Sequence, residues 1–114
     1  MADPIAQPGV IRYQLTPEAE NDLFEIWLYI AADSVKSADR VEVAIYDACA
    51  LLAKAPICGH VRKDLTPFPL RFWTVPRYRN YMIVYDPETR PLQIVRIFNG
   101  AQNVPALLLP GPAS

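Results

Sequence analysis

The sequence has little with which to build a metal or disulfide framework. Its two cysteines, Cys49 and Cys58, are nine positions apart, no C-x-x-C pair occurs, and His60 is the one histidine that could join them on a zinc ion. A structural zinc site needs more ligands than these, so metal is excluded as an organiser and both thiols read as reduced. His60 also has no serine, cysteine or acid pattern around it of the kind a catalytic triad requires. No stretch approaches the roughly 18 apolar residues of a membrane span. The start, Met-Ala-Asp-Pro-Ile-Ala-Gln-Pro-Gly, has neither the basic cluster nor the apolar run of a secretory signal. The expected compartment is the cytoplasm. Internal repeats are absent too, which excludes solenoids and propellers.

What is present is one ordinary globular composition: 114 residues, 52% hydrophobic and 20% charged. A chain of this size buries roughly two-thirds of its unfolded surface and needs no staple. The net charge of −1 hides an asymmetry. Residues 1–60 carry nine acids against four bases, or −5, and residues 61–114 carry seven bases against three acids, or +4. The bases of the second half are Arg62, Lys63, Arg71, Arg77, Arg79, Arg90 and Arg96, either a face for an anionic partner or the solvated side of a sheet.

Periodicity divides the chain. Ile11 to Leu15 alternates apolar and polar as a half-buried strand does. Thr16 is then a good N-cap, Pro17 suits the first helical position, and Glu18, Glu20 and Asp22 complement the positive end of a helix dipole. Leu23, Ile26, Trp27 and Ile30 form one apolar stripe. After a break at Asp33 and Ser34, Val41, Ile45, Ala48 and Leu52 form a second, on a helix from about Ser37 to Lys54. So short a link makes the two helices an antiparallel hairpin, ended by Pro56 and Gly59. Leu70 to Val75, Tyr81 to Asp86 and Leu92 to Phe98 alternate with period two, and a last short helical turn is predicted over Val104 to Leu109.

The order β-α-α-β-β-β implies a two-layer α+β fold, an antiparallel sheet of about four strands with the helical hairpin on one face and the other face open for function. Residues 1–10 are expected to be a flexible leader, 11–109 the domain and 110–114 a tail.

Several separated segments carry a resemblance. They are Leu15-Thr16-Pro17-Glu18-Ala19-Glu20-Asn21-Asp22-Leu23 with Ile26-Trp27; Leu52-Ala53 with Pro56 and Gly59; Arg71-Phe72-Trp73; Tyr78-Arg79-Asn80-Tyr81; and Ile94-Val95-Arg96-Ile97-Phe98-Asn99-Gly100-Ala101. In this order and spacing the chain resembles the ParE/RelE toxin family of type II toxin-antitoxin modules, in its ParE-like, plasmid-stabilisation branch. The resemblance implies a toxin held inactive by a cognate small antitoxin, with no cofactor and with nucleic acid contacted only through the antitoxin complex. ParE members poison DNA gyrase, whereas RelE members cut messenger RNA on the ribosome. RelE-type nucleases carry a basic residue where Arg77 stands, an arginine where this chain has Gln102, and often a tyrosine near Leu108. Glutamine and leucine supply neither charge nor proton, so the ribonuclease alternative is disfavoured. The ParE-type ending His-Gly-Ala-Arg-Asp reads Asn99, Gly100, Ala101, Gln102, Asn103 here, which is either an altered target surface or a toxin that keeps only antitoxin binding.

Arg71, Arg77, Arg79, Arg96 and Gln102 are therefore the candidate target-binding residues, and no catalytic or metal-binding residue is assigned. Arg96 is placed to pair with Asp86 or Glu88. Trp27 and Trp73 fit a core by residue type and, with Ile30, are the candidate antitoxin-binding residues. Gly100, after a strand, is expected to need positive φ or a close approach.

Overall fold

The computed structural model describes residues 12–100 and 104–108. The leader over 1–10, the tail over 110–114, and Gln102 and Asn103 lie outside the described residues. The order is β1 (Tyr13–Leu15), α1 (Pro17–Ala31), α2 (Val35–Lys54), β2 (His60–Val61), β3 (Arg71–Thr74), β4 (Tyr81–Asp86), β5 (Leu92–Asn99) and α3 (Val104–Leu108).

Both hairpin helices start where cap chemistry dictates. The Thr16 hydroxyl accepts from the Ala19 N–H at 3.0 Å and donates to the Val95 carbonyl at 2.7 Å, so one side chain caps α1 and ties it to β5. Ser34 accepts from the Ser37 N–H at 3.1 Å, which starts α2 two residues earlier than its apolar stripe suggests. The second stripe is buried at Val41, Ile45, Ala48 and Leu52, while the first is buried at Leu23 and Ile26 and half-buried at Trp27 and Ile30. They pack on Ile83, Tyr85, Ile94 and Ile97 of the sheet, forming the main core.

The α+β class and the helical hairpin are as expected, but the sheet has five strands, ordered β1-β5-β4-β3-β2, and is mixed. β1 runs parallel to β5, with Tyr13 opposite Leu92 and Leu15 opposite Ile94. The reason is directional: the helical hairpin returns the chain between β1 and β2, and β2 to β5 then alternate in direction, so β5 regains the direction of β1. The extra strand β2 is two residues long, too short for an alternation to register in sequence.

The face away from the hairpin is not open either. Phe72, Val84 and Phe98 on that face are covered by Val104 and Leu108 of α3 and by Leu65 and Leu70 of the β2–β3 loop, making a second, smaller core. Phe72, Val84 and Phe98 are as apolar as the residues facing the hairpin, and burying them removes that surface from water. Among the described residues no helix is long and apolar enough to cross a membrane.

Candidate functional site

The second-half arginines divide by what holds them. Arg71 starts β3 and is half-buried, its Nη1 donating to the Gly59 carbonyl at 2.7 Å. The same loop is gripped from β4: the Tyr85 hydroxyl accepts from the Gly59 N–H at 2.8 Å and donates to the Pro56 carbonyl at 2.6 Å. Burial pushes the Tyr85 phenol up, with the Gly59 N–H pulling the other way. Gly59 is required by space, because a Cβ there would meet the Tyr85 hydroxyl at 2.5 Å. Gly100 has no such need. Its φ lies outside the left-handed region, and an added Cβ would meet only the Asn80 carbonyl at 3.5 Å.

Arg96 pairs with Asp22 of α1, not with Asp86 or Glu88 as the sequence suggested. Its Nε and Nη2 donate to the two Asp22 oxygens at 2.7 and 2.9 Å, and the Ile97 N–H donates to Oδ2 at 2.9 Å. Its guanidinium lies 4.9 Å from the Phe98 ring centroid, and Nη1 donates to the Leu107 carbonyl at 3.4 Å. Asp86 is engaged elsewhere, capping its own turn by accepting from the Glu88 N–H at 3.0 Å. The hydrogen bond to Asp22 holds the Arg96 pKa above its ordinary value. Asp22 was missed as a partner because it reads as one more first-turn acid. The available signal is its spacing, three residues after Ala19 and four before Ile26, both buried.

Arg77 and Arg79, by contrast, are exposed on the β3–β4 turn. That turn is firm: Tyr78 N–H donates to the Val75 carbonyl at 3.2 Å across Pro76 and Arg77, Tyr81 N–H to Tyr78 at 3.0 Å, and Gly100 N–H to Asn80 at 2.7 Å. Arg77 also lines a groove of about 690 Å³ against Lys36, Asp39, Arg40 and Asp47 of α2.

Of the three apolar candidates, Trp27 joins the two helices, its indole N–H donating to Asp39 Oδ1 at 2.9 Å. Ile30 and Trp73 are half-buried against the main core, and the Trp73 indole N–H is buried without a hydrogen-bond partner among the described residues. Sequence reasoning overlooked the exposed apolar residues on the hairpin, Phe24, Leu28, Val35 and Val43 among them. Their positions fall off the two buried stripes, so periodicity read them as ordinary surface.

Among the described residues no three His, Cys, Asp or Glu side chains are grouped to hold a metal ion. Cys49 is a poor nucleophile, since burial pushes its thiol up to about 12.

A family model described as ParE toxin of type II toxin-antitoxin system, parDE, matches residues 13–104. Among solved structures, a chain of a chromosomal ParDE TA system from P. aeruginosa is similar, at a TM-score of 0.64 and 21% identity, over 79% of this chain and 96% of that one. No curated protein matches.

Proposed function

The chain belongs to the ParE toxin family of type II toxin-antitoxin systems, and on that premise we propose that it acts in the cytoplasm by binding a cellular target, by family resemblance DNA gyrase, and is neutralised by a cognate antitoxin. The match across residues 13–104 carries the proposal. Geometry supports the mode of action. The firm β3–β4 turn holds Arg77 and Arg79 out to solvent, where they can meet an acidic protein surface. Arg71 and Arg96 are instead tied to Gly59 and Asp22, which leaves them as structural supports beside the target surface. A nuclease would need acid, base and charge packed around one phosphate, and the Arg96 charge is already answered by Asp22. For the antitoxin, exposed apolar residues of the hairpin such as Leu28, next to Trp27 in sequence, suit the apolar face of an amphipathic helix.

The test is expression with and without the small protein encoded beside this gene. Growth arrest with loss of gyrase supercoiling, relieved by a co-purifying antitoxin, is the expected result. Arrest with cut messenger RNA would establish the nuclease, and unimpaired growth with a stable complex would establish a protein that retains antitoxin binding alone.

A further inference from the structure

The outer edge of β1 lies beside a groove of about 840 Å³ lined by Glu42 and Tyr46 of α2. β1 is the last strand of the sheet, and no other strand pairs with its outer side among the described residues. The Arg12 carbonyl accepts from Leu92 N–H at 3.1 Å, and Thr16 N–H donates to the Ile94 carbonyl at 3.0 Å. Backbone groups of even-numbered residues thus face β5, and by alternation those of Tyr13 and Leu15 face outward. An unpaired edge of this kind is a template for an added strand.

The chemistry of the groove selects the occupant. Tyr13 and Tyr46 stack with ring centroids 6.5 Å apart and planes at 29°, and Phe24, 56% exposed, lines the same groove. Glu20 from α1 and Glu42 from α2 line it as well, against one base, Arg12. The carboxylates and the rings share the lining of one groove. Burial chiefly, then Glu42, Cys49 and Glu20, push the Tyr46 phenol up, and Asp47 adds to the same effect at Tyr13. A groove lined by aromatic rings and two carboxylates attracts a cation twice, through the ring quadrupole and through charge. An acidic segment would be repelled by the same groups.

We propose that this groove docks an extended protein segment bearing lysine or arginine, which adds to β1 as a further strand and lays its cationic side chain over the tyrosine pair toward Glu20 and Glu42. The site is distinct from the arginine turn, because α2 divides the two: Glu42 and Tyr46 line this groove, whereas Val43, Ala44 and Asp47 line the one beside Arg77. It does not depend on the toxin reading.

Two short synthetic peptides test it, one alternating valine with lysine and one alternating valine with glutamate, titrated into the full chain and followed by backbone amide NMR. The lysine peptide should shift Tyr13, Gln14 and Tyr46 saturably, bind more weakly as salt rises, and lose about tenfold in affinity against a Glu20→Gln, Glu42→Gln variant with an unchanged melt. The glutamate peptide should not bind. Equal binding of both peptides, unchanged affinity in the double variant, shifts confined to the Arg77 turn, or no saturable shift at millimolar peptide would each overturn the proposal.

Discussion

Asp22 on α1 and Arg96 on β5 form a two-pronged ion pair, 2.7 and 2.9 Å, beside the part of β5 that β1 does not cover. β1 pairs only as far as Ile94, and from there side chains replace a strand: Thr16 bonds the Val95 carbonyl and Asp22 the Ile97 N–H. The pair also fastens α3, since the same guanidinium reaches the Leu107 carbonyl. One side chain therefore links the hairpin, the sheet and the cover of the second core.

Asp22→Ala strands a largely buried guanidinium and an Ile97 N–H, so it should cost about 3–5 kcal/mol. Asp86→Ala, at an exposed turn, should cost much less. Urea melts of both variants decide the matter, and equal losses would show that the pair is unimportant.

Tyr85→Phe removes the one group that serves both Gly59 N–H and the Pro56 carbonyl, and should cost about 1–3 kcal/mol. Gly59→Ala should destabilise by a similar about 1–3 kcal/mol because the new methyl meets the Tyr85 ring and hydroxyl. Gly100→Ala should be tolerated, and a loss at Gly100 equal to that at Gly59 would refute the assignment.

Truncating Ile45, fully buried, to alanine should cost about 2–5 kcal/mol, and Ile26→Ala should fall in the lower part of that range. Lys36→Ala should leave the midpoint of a denaturant curve nearly unchanged.

Stability should decline in alkali. The Cys49 thiol is raised from 9.0 to about 12 by burial, and Tyr13 from 10.0 to about 12, chiefly by burial. The folded state therefore holds protons that the unfolded state releases. Their contribution is whole below pH 9 and is lost as pH climbs toward 12, at up to about 1.4 kcal/mol per unit through Cys49 alone. Denaturant midpoints at a series of pH values measure it, and a flat profile above pH 9 would contradict it.

The double change Arg77→Ala, Arg79→Ala should leave the melting temperature almost unaltered, as neither arginine supports the core. It should weaken growth inhibition, and Gln102→Arg should strengthen it. Plate growth after induction, with a melt for each variant, separates loss of action from loss of fold.

Period and cap chemistry were enough to place both hairpin helices, the three longer strands and the buried stripe from Val41 to Leu52, because each is a local pattern that a neighbouring element merely completes. Family membership was legible for a related reason: the segments that carry it lie within the elements and keep their order. The position of β1 beside β5, the cover over Phe98 and the use of each arginine were decided only by the tertiary structure. Arg71, Arg77, Arg79 and Arg96 are alike in sequence, yet two are tied down by Gly59 and Asp22, which lie 12 and 74 residues away, and two are left to solvent. Helical spacing can place Asp22 on the buried face of α1, but which base it meets leaves no periodic trace, since that depends on which edge of the sheet a strand leaves uncovered and which helix then passes beside it.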